Sequence, residues 1–265
     1  MSVHGRTIIV IIDQRSKIVQ DWGVGFINAR RLATERTEKA LESTVDKLDI
    51  QVEPLAKDTL QQRVYEQVAG LILDGGIAPG QLVTIQSLAD SFGVSTMPVR
   101  EALKRLTAEK ALTVVSGRSM GIPPLTLERL TDLRKVRLEL EGAAIAWAAA
   151  SVDRKILAGL DTDLERMDRA IATSSAKDFL QANRSFHFGA YKASQSPTLV
   201  SLIEIVWLQI SPYFNLLRGS GNYVAANANH RRMAEALGRH DPASARAAMA
   251  ADINDAYDVL AALLD

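Results

Sequence analysis

The sequence predicts a mainly α-helical protein in which a small helical unit with a two-stranded hairpin precedes an all-helical bundle. Two observations carry this prediction. Residues 87–106 hold two short amphipathic helical patterns that meet at Gly93. From residue 125 onward, alanine-rich apolar stripes follow the 3.6-residue period of a helix, with few strand signals between them. A chain of 265 residues is long enough for two domains, each with its own core.

The two patterns in residues 87–106 have the features of a helix-turn-helix. Gly93 marks the bend, and Ser95 is the expected N-cap of the second helix. The apolar positions form one compact seam, made of Leu88, Ala89, Phe92, Val99, Ala102, Leu103 and Leu106. On this stretch alone, a buried helical hairpin with a solvated basic edge is the alternative interpretation.

The flanking segments favour the first interpretation. A helical pattern precedes the pair and ends at Gly75-Gly76, a turn follows at Pro79-Gly80, and Thr84 is placed to cap the next helix. Two β-prone segments around residues 116–118 then predict a hairpin wing. Residues 55–124 are therefore expected to form a winged helix-turn-helix.

The motif APGQLVTIQSLADSFGVSTMPVREALKRLTAEKAL resembles the DNA-binding domain of the GntR family of bacterial transcription regulators. Thr96 stands where that family usually carries arginine, and Lys110-Ala111 replaces the usual Gly-Leu at the start of the wing. The resemblance implies operator DNA as a partner. The candidate DNA-contacting residues are Thr84, Gln86, Ser95, Thr96, Met97, Arg100, Lys104, Arg105 and Arg118.

Composition sets further limits on the function. The chain has no cysteine, which excludes disulfides, thiolate metal sites and cysteine nucleophiles and is consistent with a cytoplasmic protein. No apolar run is expected to reach the roughly 20 residues that cross a bilayer. Residues 55–125 carry seven cations against six anions. DNA affinity is therefore expected to depend on clustered charge and on dimerisation rather than on net charge.

Residues 1–54 do not belong to this pattern. They carry eight cations and eight anions, so they are not a basic DNA-binding arm. A poorly ordered extension is expected here, and an arm that packs on a partner subunit is the alternative.

The C-terminal part, residues 125–265, is predicted to be a bundle of six helices that binds a ligand and dimerises. The expected helix starts are marked by N-cap residues or by proline in the first turn. These starts are Thr126, Asp153, Ser175, Pro197, Asn222 and Asp241-Pro242.

Polar residues interrupt the inward stripes of three of these helices. Asn183 and His187 lie four apart on one stripe, His230 lies on a second, and Asp252 on a third. Two imidazoles, a carboxylate and an amide that point inward suit a divalent metal such as zinc, nickel or manganese. Singly, each histidine could instead bond a backbone carbonyl, and Asp252 could pair with a buried arginine.

Three segments of this half resemble the FCD effector domain of the FadR subfamily of GntR regulators: TDLRKVRLELEGAAIAWAAA, NRSFHFGAYKAS and HRRMAEALGRHDPASARAAMAADI. In metal-binding members the ligands are an aspartate and a histidine four apart, followed by two further histidines. The resemblance places these ligands at Asn183, His187, His230 and Asp252, so asparagine replaces the aspartate and aspartate replaces the last histidine. This exchange leaves the identity of the metal open, and Asn183 could orient the effector instead.

Arg137 is the other candidate effector-binding residue. Glu141 follows it at helical spacing, so one interpretation is a buried ion pair. The family's R-x-x-x-E element implies a second, in which the guanidinium clamps an effector carboxylate. Tyr191, Trp207 and Tyr213 are expected in the core, with lining of the same cavity as the alternative.

These features predict a homodimeric, ligand-responsive transcription regulator that represses from a palindromic operator and senses a small organic acid. One alternative is a metal-free regulator of a bulkier ligand such as an acyl thioester. A metal-dependent hydrolase is disfavoured because no general base or nucleophile motif accompanies the ligands, so no enzyme is expected. An architectural DNA binder without a ligand is a further alternative.

Overall fold

The computed structural model describes residues 60–117, 119–218 and 220–264. The interpretations of residues 1–54 fall outside this part of the chain. The same holds for Arg118, one of the candidate DNA contacts.

The N-terminal described half is a winged helix-turn-helix. Its elements in order are α1 (Leu60–Leu73), β1 (Leu82–Thr84), α2 (Ile85–Phe92), α3 (Thr96–Ala108), β2 (Thr113–Ser116) and β3 (Ser119–Gly121). The three strands form an antiparallel sheet in the order β1-β3-β2, with Val83 opposite Met120 and Val114 opposite the same residue on the other side. Strand β1 was not anticipated from the sequence, because three residues are too few to show an alternating pattern.

Local capping explains the helix boundaries. The Thr84 hydroxyl accepts the Ser87 amide at 3.0 Å, and the Ser87 hydroxyl accepts the Thr84 amide at 3.1 Å, which closes a capping box on α2. Gly93 ends α2 with a φ of 64°, a conformation that costs glycine little. Ser95 stands at the N-cap position of α3, as predicted, but its side chain makes no capping hydrogen bond.

The departure at Lys110 has a backbone consequence. Lys110 follows α3 with a φ of 59°, in the left-handed region that favours glycine. The glycine expected at this position by resemblance would meet this requirement without strain. Lysine at this position therefore introduces backbone strain in the turn before the wing.

The C-terminal half is an all-helical bundle. Its elements are α4 (Leu127–Ser151), α5 (Arg154–Ala172), α6 (Ala176–Lys192), α7 (Pro197–Ile210), a 3-10 helix (Ser211–Leu217), α8 (Asn222–Gly238) and α9 (Pro242–Ala262). The predicted caps are present, since side chains of Thr126, Asp153, Ser175 and Asp241 each accept a backbone amide of the following turn. The 3-10 helix was not predicted.

Helix α4 lies along α9 and also contacts α6 and α7, while α8 packs between α5 and α9. Large side chains fill the interior, among them Trp207, Tyr191, Tyr213 and Phe186. The inward stripes of α4, α6, α8 and α9 therefore meet in one core, which positions the polar residues described below.

One expectation about apolar segments is wrong. Residues Pro197–Leu217 have the length and apolar composition needed to cross a membrane, and half of the segment is buried inside the protein. The segment was overlooked because polar residues such as Ser201 and Gln209 interrupt it, although Glu204 is its single charged residue. Its buried residues, including Ile203 and Trp207, belong to the core of the bundle.

Candidate metal and effector site

Three of the four candidate ligands meet in the core of the bundle. The Nε2 atoms of His187 on α6 and His230 on α8 are 3.0 Å apart. The carboxylate of Asp252 on α9 approaches them from the third side, with Oδ2 at 3.5 Å from His187 and Oδ1 at 3.4 Å from His230. All three residues are buried.

Hydrogen bonds set the orientation and protonation of His187. The Tyr191 hydroxyl donates its only proton to Glu141 Oε2 at 2.5 Å, so toward His187 Nδ1, at 2.9 Å, it acts as an acceptor. His187 Nδ1 therefore carries the proton and donates it to Tyr191. This tautomer leaves the Nε2 lone pair of His187 facing His230 and Asp252, as in histidines that ligate metals.

The three ligand atoms fit a divalent ion. Metal–nitrogen and metal–oxygen bonds of about 2.0–2.2 Å place neighbouring ligand atoms about 3–3.5 Å apart. The Nε2–Nε2 separation and the nearest approach of each histidine to an Asp252 oxygen lie in this range, the two histidines facing different oxygens of that carboxylate. Two imidazoles and one carboxylate on one side of an ion also form a ligand set that transition metals commonly use. The chemistry and the spacing of these side chains are thus suited to zinc, nickel or manganese.

Electrostatics favours the ligating forms of these groups. Burial lowers the pKa of His230 and outweighs the opposing effect of Asp252, so the imidazole is neutral at pH 7. Burial alone would raise the pKa of Asp252, but the neighbouring His230, whose Nε2 faces the carboxylate and can donate a hydrogen bond to it, holds the pKa below its usual range. Neutral imidazole and ionised carboxylate are the forms that bind a metal.

A second buried network adjoins the first. Arg137 on α4 donates from Nε to Glu141 Oε1 at 2.6 Å and from Nη2 to Oε2 at 3.3 Å. Burial and the adjacent Glu141 raise the pKa of Tyr191 well above its usual value, so the phenol keeps its proton. The interpretation of Arg137 and Glu141 as a buried ion pair is therefore confirmed by the contacts, and Tyr191 links this pair to His187.

A small cavity of about 20 Å³ lies against both networks, which is room for about one water molecule. Arg137, Asn183, His187, Trp207 and Asp252 line its polar side. Its apolar lining is Phe179, Leu180, Phe214, Leu217, Tyr223, Ala226 and Ala256. Asn183 thus shares the cavity with His187 and Asp252, which is compatible with either of the roles expected for it.

The three aromatic residues expected in the core, Tyr191, Trp207 and Tyr213, have different surroundings. Trp207 lines the cavity, and its Nε1 has no hydrogen-bond partner among the described residues. Tyr191 joins the two networks. Tyr213 lies elsewhere in the core and donates to the carbonyl of Pro123.

The sequence analysis missed Phe179 and Tyr223 as a pair. Their rings stack with centroids 4.1 Å apart, and both line the cavity. Asn222 also lines the cavity and is buried. No periodic signal could have paired residues from α6 and α8, because their proximity arises only when the helices pack.

The candidate DNA face is exposed along α3. Met97 is 64% exposed, Ser95, Arg100 and Lys104 are also exposed, and Thr96 is half-buried at the start of the helix. Arg100 and Lys104 make no ion pair with any described residue, so both cations are available to phosphates or bases.

Other candidate DNA contacts have partners within the winged half. The Arg105 guanidinium lies 3.6 Å from the centroid of the Tyr65 ring and pairs with Glu109 at 3.0 Å. Gln86 donates to Asp90 at 2.8 Å, and Thr84 is occupied by its capping box. A DNA contact by Arg105 or Gln86 would have to share or replace these bonds.

Comparison with known proteins agrees with this architecture. Residues 60–122 match the family described as bacterial regulatory proteins, gntR family, and residues 132–255 match the FCD domain. The chain is 32% identical to the HTH-type transcriptional regulator McbR of Escherichia coli over 143 residues, which are 54% of this chain and 65% of that protein, just under two thirds. It is 27% identical to YdhC of Bacillus subtilis, an HTH-type transcriptional regulator, over 72% of this chain and 86% of that protein.

The structure of E. coli McbR/YncC superposes with a TM-score of 0.72 at 25% identity, covering 78% of this chain and all of the other. McbR and YdhC are both named as HTH-type transcriptional regulators. Together the two domain matches cover the described winged half and most of the bundle. Residues 60–122 are thus a winged helix-turn-helix domain of the gntR family of bacterial regulatory proteins, and residues 132–255 are an FCD domain.

Proposed function

We propose that this protein is a cytoplasmic, homodimeric repressor of the FadR subfamily, which binds a palindromic operator through α3 and senses a small acid in the bundle. The match of residues 60–122 to the gntR family and the exposed Arg100 and Lys104, which form no ion pair with the described residues, support the DNA-binding part. Two winged domains in a dimer double the number of phosphate contacts, which compensates for the nearly neutral charge of each domain. Binding of effector and operator is coupled reciprocally.

The observation that carries the sensing part is the buried meeting of His187, His230 and Asp252. These residues would hold a divalent ion, with Asn183 beside them. When bound, the ion supplies a Lewis-acidic coordination position for a carboxylate oxygen. Arg137 would bind the other oxygen of that carboxylate, because its bonds to Glu141 use only one edge of the guanidinium.

The charges of the buried groups indicate which acid fits. With neutral histidines, Arg137, Glu141 and Asp252 together carry one negative charge, which repels an anion in the absence of metal. A divalent ion changes this to one positive charge, which a single carboxylate neutralises. The apolar remainder of the cavity wall favours a monocarboxylate with a small apolar group.

The cavity of about 20 Å³ is too small for such an acid, so binding requires the wall to move. Effector binding and a change of conformation are therefore the same event in this proposal.

Metal analysis of the purified protein tests the site. We expect about one zinc, nickel or manganese ion per chain in the wild type and a loss of at least tenfold in metal affinity for Asp252→Asn. Asp255→Asn is the matched control, since Asp255 lies on the same helix and bonds Asn229 instead. Equal metal content in wild type and Asp252→Asn would refute the ligand assignment.

Effector class and DNA binding are tested together. In a thermal-shift screen with Zn²⁺, monocarboxylates should raise the melting temperature more than dicarboxylates, and EDTA should abolish the effect. The same acids should change the affinity for promoter DNA, and a promoter reporter determines whether the regulator represses. Acid binding that is unaffected by EDTA would instead favour the metal-free alternative.

A further inference from the structure

The 3-10 helix Ser211–Leu217 is unusually long and lies where the bundle meets the winged half. Seven residues are long for a 3-10 helix, since runs beyond three or four are uncommon and often mark a hinge or strain. It follows α7 directly and lies between the cavity and the winged half. Four of its side chains, Pro212, Tyr213, Phe214 and Leu217, are buried apolar or aromatic groups.

On one side, this helix binds the winged half and the linker that follows it. The Ser211 hydroxyl donates to the carbonyl of Ile72 at 3.4 Å, and Asn215 Nδ2 donates to the carbonyl of Gly75 at 3.1 Å. The Tyr213 hydroxyl donates to the carbonyl of Pro123. The helix therefore contacts the C-terminal end of α1 and the chain just beyond the wing.

The contact at Gly75 is close, and its backbone conformation favours glycine. Gly75 has a φ of 70°, and a Cβ built there would lie 2.5 Å from Asn215 Nδ2. The backbone of the winged half thus lies directly against the Asn215 side chain. Other described links between the halves, Arg184 to Asp74 and Arg129 to the Lys110 carbonyl, come from long and partly exposed side chains.

On the other side, the same helix forms part of the cavity. Phe214 and Leu217 line the cavity wall, and the Tyr223 hydroxyl donates to the Phe214 carbonyl at 3.1 Å. Tyr223 also stacks on Phe179 across the cavity. Different residues of one short helix therefore contact the cavity on one side and the winged half with its linker on the other.

We propose that residues 211–217 form a strut that couples the state of the cavity to the position of α1 in the winged half. The proposal rests on the proposed function, because it assigns the route by which that sensing site controls DNA binding. Entry of an acid into a cavity of about 20 Å³ displaces Phe214, Leu217 or Tyr223. Such a displacement changes the helical rise and twist of residues 211–217. The hydrogen bonds to the Ile72 and Gly75 carbonyls transmit this movement to α1.

The first experiment needs neither ligand nor metal. Hydrogen–deuterium exchange of the full chain is compared between wild type and Tyr223→Phe, which removes only the bond to the Phe214 carbonyl. We expect exchange to rise on the order of two- to tenfold at residues 211–217 and also at Gly75 and Gly76. Tyr257→Phe is the matched control, because it removes an equivalent bond, to Thr131, elsewhere in the bundle.

The second experiment uses Zn²⁺ alone as the probe. In wild type, Zn²⁺ should change exchange near His187 and His230 and also at residues 70–76. Asn215→Ala should keep its Zn²⁺ affinity and the change near the histidines, and lose the change at residues 70–76. Asn254→Ala removes the hydrogen bond that Arg134 of α4 donates to the side-chain oxygen of Asn254 on α9. This variant should behave as wild type.

The outcomes separate the two proposals. An unchanged exchange rate at Gly75 and Gly76 in Tyr223→Phe overturns the strut, and so does a Zn²⁺ response at residues 70–76 that survives Asn215→Ala. Failure of the wild type to bind Zn²⁺ counts against the metal site in the proposed function, and the first experiment then decides the strut by itself.

Discussion

The winged half and the bundle place their polar residues in opposite ways. In the winged half, Arg100 and Lys104 are exposed and have no ion-pair partner in the described chain, while the core is apolar. In the bundle, Arg137, His187 and Asp252 are buried and bound to one another or to their neighbours. A surface that meets DNA needs free charges, whereas an interior site must satisfy each charge before a ligand arrives.

The comparison also separates binding from stability. Removing an exposed cation takes away a contact with DNA and leaves the fold intact. Removing one member of a buried network leaves its partner uncompensated, so the fold itself is weakened.

Glu141→Gln should lower the free energy of unfolding by about 3–5 kcal/mol, because Arg137 would remain charged and buried without its counterion. Glu139→Gln on the same helix breaks the exposed pair with Arg246 and should cost about 0–1 kcal/mol. Urea denaturation followed by circular dichroism measures both variants. Equal costs would show that burial does not distinguish the two ion pairs.

Arg100→Ala should weaken binding to operator DNA by about 1–3 kcal/mol without a change in melting temperature. Arg105→Ala should affect the melting temperature more than the DNA affinity. The melting temperature should fall because Arg105 stacks on Tyr65 and pairs with Glu109. Fluorescence anisotropy with labelled promoter DNA and a thermal melt provide the two measurements. A drop in melting temperature for Arg100→Ala would mean that this side chain also supports the fold.

Acidification should destabilise the metal-free protein through His230. Burial lowers the folded-state pKa of His230 below the unfolded value of about 6.5, so the unfolded chain binds a proton that the folded chain does not. Stability is therefore highest above that pH and falls below it, by up to about 1.4 kcal/mol per pH unit.

Asp252 does not contribute in this window. Its folded-state pKa is depressed, so its stabilisation is present above about pH 4 and is lost as the pH falls through the folded value. Denaturant midpoints measured in EDTA between pH 7.5 and 5 should show the decline for wild type and a flatter profile for His230→Asn. The same slope in both proteins would assign the effect to another group.

Lys110→Gly should raise the free energy of unfolding by about 0.5–1 kcal/mol. The substitution removes the strain of a left-handed lysine, which is about 1–2 kcal/mol. The larger conformational entropy of glycine in the unfolded chain offsets part of this gain. The Lys110 carbonyl that accepts Arg129 is part of the backbone and remains. A destabilised variant would show that the lysine side chain contributes more than the strain it causes.

Short-range rules predicted most of the secondary structure. Ser175, Asp153 and Asp241 begin helices because their side chains satisfy amide groups within three residues, and Gly93 ends one because it tolerates a positive φ. The helix-turn-helix and the six bundle helices were recognisable for this reason. Ser95 shows the limit, since its position is right but its side chain makes no capping bond.

The candidate site could be approached from the sequence because a polar residue on an apolar helical stripe must point inward. That argument selected Asn183, His187, His230 and Asp252 one helix at a time. It could not say how close they lie, nor that Tyr191 would set the tautomer of His187. The cavity volume, the Phe179–Tyr223 stack and the strut depend on how α6, α7 and α8 pack.

The amino-acid sequence by itself determined where the helices begin and end, which faces are apolar and which polar residues turn inward, because capping and periodicity act over a few residues. Tertiary structure alone decided that the His187 and His230 nitrogens come within 3.0 Å of each other and within 3.4–3.5 Å of an Asp252 oxygen, and that a seven-residue 3-10 helix lies between the cavity and Gly75. Contacts between residues more than 20 positions apart arise only from the packing of whole helices, which no local pattern encodes.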